Sequence, residues 1–411
     1  FDLRVLEERQ LPYAELLSVL MGSIGTESYT FGELDKALDT HLGGFSTYLS
    51  TYMEERDDER LLPKLVISAK TLSNEQGKAF EYAEEIINHS LLGDTDRIKD
   101  VLTRHQSRLL ASLKRDGLGY ARTRLMSYST RAGQLDELTG GLEYYWFVTD
   151  LVDNFDERAS GFSKELIDVS KTLFKKSNLM ASAVCDESAM SDFKKNLKGF
   201  SKTLGKGRVE YITWPLESSS QNEGLLSASK VQYVLQGGDF KTFGYQWDGK
   251  MKVLNQVISR EWLKNQVRVI GGAYGGFMRI SPSGQVYFGS YRDPNLTSTL
   301  KNYAETPGFL RDLEFDENEM TRFIIGTISS MDRPLTASQR GNVAIARYFS
   351  KSSRNILQAE RDAVLSTSIE DLKTYEKMIE DLVKNTPVCV YGNEDVLKEN
   401  ETVFEKLISL Y

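Results

Sequence analysis

Apolar residues recur at helical spacing over most of this chain and at strand spacing in a few short stretches. Within 12–21, Leu16, Leu17 and Leu20 share one side, as a helix requires. Thr30 stands three residues before Glu33, a capping-box spacing, and predicts a helix to His41 that carries Leu34, Ala37 and Leu38 and stops at Gly43-Gly44. Stretches 45–55 and 61–72 read as strands, and Asn74 opens a helix to His89. A long helical stretch over 96–127 carries Ile98, Val101, Leu102, Leu109, Leu110 and Leu113; another follows Gly140-Gly141 and breaks near Gly161. Stretch 179–184 reads as a short apolar strand, before a helix with Phe193, Leu197, Phe200 and Leu204. Residues 1–6 also read as a strand.

Stretch 205–222 contains Pro215 and the run Ser218-Ser219-Ser220-Gln221-Asn222, a linker by composition. Beyond it, 231–235 opens a strand ending at Gly237-Gly238, and 245–266 reads as a helix with Leu254, Val257, Ile258, Trp262 and Leu263 on one face. Strands 274–280 and 285–291 flank Ser281-Pro282-Ser283-Gly284, where proline second and glycine fourth suit a type I turn. Helical stretches at 319–329, 337–358 and 369–385 follow. Each half thus runs helix, double glycine, two strands, helices, and a closing strand with an acidic break. The order predicts an α+β fold: two tandem homologous domains at 1–204 and 223–411, each an antiparallel sheet packed against helices.

One run concentrates the unusual residues. Between Arg268 and Phe277 lie Gly271, Gly272, Gly275 and Gly276, interrupted by Ala273 and Tyr274, and Ser290-Tyr291-Arg292-Asp293-Pro294-Asn295 follows. Such glycines permit close backbone approach or torsions closed to other residues. A tight helix-to-strand connection needs them. So does an extended peptide lying along the hairpin, with Arg268 and Tyr274 donating to its carbonyls. A phosphate loop fits poorly, since the spacing is not G-x-G-x-x-G and no Lys-Ser/Thr follows.

With 411 residues, 40% hydrophobic and 27% charged, the chain has the size of two soluble domains. A net charge of −8 argues against nucleic-acid binding and suits a basic peptide. Cys185 and Cys389 allow no disulfide framework or Cys-x-x-Cys zinc site, which favours a reducing compartment: the bacterial cytoplasm, or alternatively an organelle matrix. No apolar stretch approaches the roughly 18 residues of a membrane span, and no signal peptide stands at the start. The first residue is Phe rather than Met, which predicts a fragment of a longer protein.

Candidate chemistry is sparse. His41, His89 and His105 have no partner at metal-ligand spacing; neither H-x-x-E-H nor H-E-x-x-H occurs, nor does G-x-S-x-G. The acidic run at 54–59 reads as a solvated hairpin tip. The arginines of 104–131 read as a polar helix face over an acidic neighbour.

The run from Arg268 through Gly271-Gly272-Ala273-Tyr274-Gly275-Gly276, with Ser290-Tyr291-Arg292-Asp293-Pro294-Asn295, resembles the C-terminal half of the pitrilysin/insulinase-type zinc metallopeptidases, in the presequence protease and falcilysin branch. The similarity extends over essentially the whole chain. It implies a half-clamshell of two α+β domains that closes with an N-terminal half around a chamber for unstructured peptides. Zinc is then expected on that N-terminal half and not here, so this fragment alone is expected to be inactive. By position, Arg268 and Tyr274 match the pair that meets the substrate carbonyl, with Gly271, Gly272 and Arg292 as further substrate contacts and the hairpin edge as a template for the peptide. A noncatalytic structural homologue is the alternative.

Overall fold

Eight strands form two sheets. β1 (Gly44–Met53) and β2 (Leu61–Lys70) make an antiparallel hairpin. β3 (Glu223–Ser227), β4 (Tyr233–Asp239), β5 (Gly275–Ile280), β6 (Gln285–Tyr291), β7 (Val388–Asn393) and β8 (Lys406–Ser409) make a six-stranded sheet in the order β5-β6-β4-β7-β3-β8. The computed structural model describes residues 1–216 and 221–411; Ser218, Ser219 and Ser220 of the expected linker run lie outside the described residues.

The larger sheet is antiparallel from β5 through β7, as expected, but β3 runs parallel to both β7 and β8. Each half does send a helix through a double glycine into a hairpin: Phe31–His41 into β1-β2, and the helix ending at Ile270 into β5-β6. The Thr30–Glu33 capping box is formed.

Four expectations are corrected. Stretch 179–184 is not a strand: Met180 and Val184 are over half exposed, and no neighbouring strand takes their backbone groups. Of residues 1–6, Phe1 pairs with Leu65 and Asp2 with Lys64 on β2. The chain then turns into a short 3-10 segment, Leu3–Val5, capped by the Asp2 side chain. The helical break expected at Gly161 falls at Asn154, and Gly161 lies inside Phe155–Leu173. The helix expected from 245 begins at Met251, after Gly244 has adopted a left-handed φ of 84°.

Strand alternation sends the sheet's side chains to two cores. Val234, Met278, Val286, Phe288, Val388 and Val390 face the second-half helices. Leu225, Tyr233, Leu235, Cys389 and Tyr391 face Leu113, Tyr120, Ala121, Leu125 and Leu142 from the first half. A third core lies within the first half. Trp214 is buried, and its Nε1 donates to Leu6 O at 2.9 Å, so part of the linker stretch packs on the N-terminal residues.

The acidic tip between β1 and β2 is less free than its composition implies. Asp58 accepts from the backbone N–H groups of Arg131 and Ala132, and Arg56 pairs with Glu360 of the second half. Among the described residues, no helix is long and apolar enough to cross a membrane.

Candidate functional site

The helix leading to the glycine run changes character partway. Met251–Val257 is α-helical; Ile258–Ile270 is a 13-residue π-helix, a form usually confined to a single turn and frequent at functional sites. The apolar spacing around Trp262 predicted a helix but carried no sign of this wider winding. Leu263 and Val267 of the π-helix are buried against β5, where Gly276 leaves the room: a Cβ there would stand 2.7 Å from Val267 Cβ and 2.8 Å from Leu263 O. Gly272 then takes a φ of 80°, which turns the chain into the hairpin.

Arg268 and Tyr274 emerge on either side of that turn. Both are exposed, Tyr274 to 68%, and the Arg268 guanidinium carbon lies 5.7 Å from the Tyr274 ring centroid. On its other side Tyr274 meets Tyr291 edge to face at 5.8 Å, and its N–H donates to Tyr291 O. Tyr291 in turn carries Arg292, whose guanidinium carbon is 5.6 Å from the Tyr291 centroid and whose φ is 50°. Two cations and two phenols therefore share one surface, a set that can donate to a carbonyl or hold developing negative charge.

Gly271 and Gly272 spend their N–H groups within the chain, on Gln266 O and Arg268 O. What they offer a ligand is the absence of side chains. β5 is the outer strand of the sheet, but its edge is partly closed. Ser259 Oγ accepts from Met278 N at 3.0 Å and donates to Met278 O at 3.3 Å. An added peptide strand has room at the Tyr274 end rather than along the whole edge.

The residues present do not fit a zinc site. Among the described residues, no group of three or more His, Cys, Asp or Glu is arranged to hold a metal ion. His89 pairs with Glu27, His41 lies beside the Tyr82 ring, and His105 bonds Tyr144, with burial holding its pKa down to about 4.

One buried cluster had only a partial sequence signal, the local excess of arginine. Arg124 meets Glu223, Glu137 and Glu143, and Tyr128 donates to Glu223. It joins first-half helices to β3 and is structural in position.

The chain's fold is that of the M16 peptidases, and the chain belongs to the insulinase superfamily. A peptidase M16 inactive domain from Pseudomonas fluorescens superposes with a TM-score of 0.59 at 13% identity, over 93% of this chain and 88% of that one. Within the superfamily the chain is a C-terminal half of the presequence-protease type. Residues 222–391 match the PreP C-terminal domain, and residues 1–151 match the domain associated with subfamily C of the M16 peptidases. Protein HypA of Clostridium perfringens is 36% identical over 410 residues, covering 100% of this chain and 42% of that protein. Presequence protease 1, chloroplastic/mitochondrial, of Arabidopsis thaliana is 30% identical over 400 residues, with 96% and 37% covered. The chain thus spans about two fifths of the length of these curated relatives.

Proposed function

We propose that this chain is the substrate-holding half of a zinc-dependent endopeptidase that degrades unfolded peptides in a closed chamber. The metal belongs, in this reading, to an N-terminal half of the same protein. The division into 1–204, a linker at 205–222 and 223–411 belongs to the same reading, as does a bacterial cytoplasmic or organelle-matrix setting. The observation that carries it is the pairing of an exposed guanidinium and an exposed phenol across a glycine turn.

Attack on a peptide carbonyl places negative charge on its oxygen. Two preorganised donors aimed at that oxygen lower the barrier, each by about 3 kcal/mol. Arg268 and Tyr274 are those donors, and Arg292 extends the positive surface along the peptide. A peptide backbone can approach Gly271 and Gly272 closely because no Cβ intervenes.

Enclosure and charge are tested with the full-length protein. Unfolded peptides should be cleaved up to a length limit and folded proteins spared; equal cleavage of folded proteins would remove the chamber. Basic peptides should be cut faster than charge-reversed ones, in line with the net charge of −8; equal rates would remove the electrostatic preference.

A noncatalytic homologue is the second reading, favoured by the fold's likeness to an inactive M16 domain. An H-x-x-E-H motif in the N-terminal half of the full-length protein separates the two.

A further inference from the structure

The turn between Arg268 and Tyr274 is held from outside by one loop. Asn295 Nδ2 donates to the carbonyl oxygen of Gly271 at 2.6 Å, and Asn295 N donates to Asp293 Oδ1 at 2.9 Å. Asp293 is fully buried, and its second carboxylate oxygen accepts from Thr299 Oγ1 at 2.7 Å. The backbone of Asp293 exchanges two hydrogen bonds of 2.8 Å with Gln232, directly before β4. Pro294 Cγ lies 3.8 Å from where a Cβ on Gly272 would stand. Asp293-Pro294-Asn295 is thus tied to the sheet at one end and reaches across to the glycine turn at the other.

We infer that Asn295 is a positioning residue for the Arg268–Tyr274 pair, acting through the Gly271 carbonyl. This rests on the reading of that pair as carbonyl contacts. The turn has two glycines and little side-chain packing of its own, so its backbone needs an external restraint. The restraint must be a donor, because it faces a carbonyl oxygen; an Asp carboxylate is acceptor-only and would repel it. Without the bond, Gly271 is free to rotate, and the guanidinium and phenol lose their fixed separation. A misplacement on the order of 1 Å is enough to cost catalysis far more than binding.

The test uses the full-length enzyme with an unstructured peptide substrate. Asn295→Ala and Asn295→Asp should each lower kcat by about tenfold or more with KM little changed. In a Tyr274→Phe background, Asn295→Ala should lower kcat much less than in the wild type, because the residue acts through one already altered. Asn295→Ser, a milder truncation, should give a folded protein with a similar kcat loss and a near-native Tm. Full, independent losses in the double variant, or a kcat loss that only tracks Tm, would overturn the positioning role. Wild-type turnover of Tyr274→Phe alone would instead remove the underlying site reading.

Discussion

Arg124 grips Glu223 with two nitrogens, Nε to Oε2 at 2.7 Å and Nη2 to Oε1 at 3.2 Å, across the junction of the first-half helices and β3. Glu223 and Glu137, which the same guanidinium also touches, are both buried. Arg124→Met leaves two buried carboxylates without their cation and should destabilise the chain by about 3–5 kcal/mol, read by urea unfolding. Loss of less than about 1 kcal/mol would mean that the cluster is not the joint between the halves.

Gly117 and Tyr391 form the tightest approach at that joint. A Cβ on Gly117 would stand 2.5 Å from the ring of a tyrosine that is itself buried. Gly117→Ala should therefore cost about 1–3 kcal/mol, as overpacking of a filled core does. Thermal unfolding measures it, and an unchanged Tm would show that the ring can yield.

Buried acids set the pH response. Glu15 and Glu137 have their pKa pushed up to about 7 by burial, and Asp136 to about 6. Each holds its proton more tightly folded than unfolded. The stability this gives is complete below the ordinary carboxylate range and is lost as pH rises through 6 to 7. His105 opposes them, its stability contribution being lost as pH falls from 6.5 through about 4. Glu15→Gln should match the wild type near pH 4 and exceed it at pH 8, by at most about 3 kcal/mol. Parallel stability curves for the two proteins would contradict the burial of that charge.

Gly276 tests how the π-helix is seated. Its missing Cβ is what lets β5 pass under Val267 and Leu263, the second contact being to backbone that cannot rotate away. Gly276→Ala should destabilise by about 1–3 kcal/mol and, by lifting the hairpin, lower turnover of the full-length enzyme. Destabilisation with full turnover would uncouple the helix seat from the site.

Local chemistry was legible in the sequence where one short pattern decides the outcome. The Thr30–Glu33 box, the Ser281–Gly284 turn and the glycine bend all form, because each depends on residues a few positions apart. Long-range pairing was not legible. Stretch 179–184 has a strand's composition but no neighbouring strand, and Asn154 rather than Gly161 ends a helix because a glycine inside a packed helix costs only about 1 kcal/mol. At the site, Arg268 and Tyr274 were found by resemblance. Asn295, though in the same noted run, shows its bond to Gly271 only in three dimensions. The π-winding of 258–270 has no period that apolar spacing could separate from an α-helix over so few turns.

The central claim is that the Tyr274 hydroxyl meets the substrate carbonyl. Tyr274→Phe keeps the ring, and with it the contacts to Arg268 and Tyr291, and removes only the donor. The account predicts that the full-length enzyme carrying this change loses turnover on the order of a hundredfold with Tm unchanged. Wild-type turnover in that variant would contradict it.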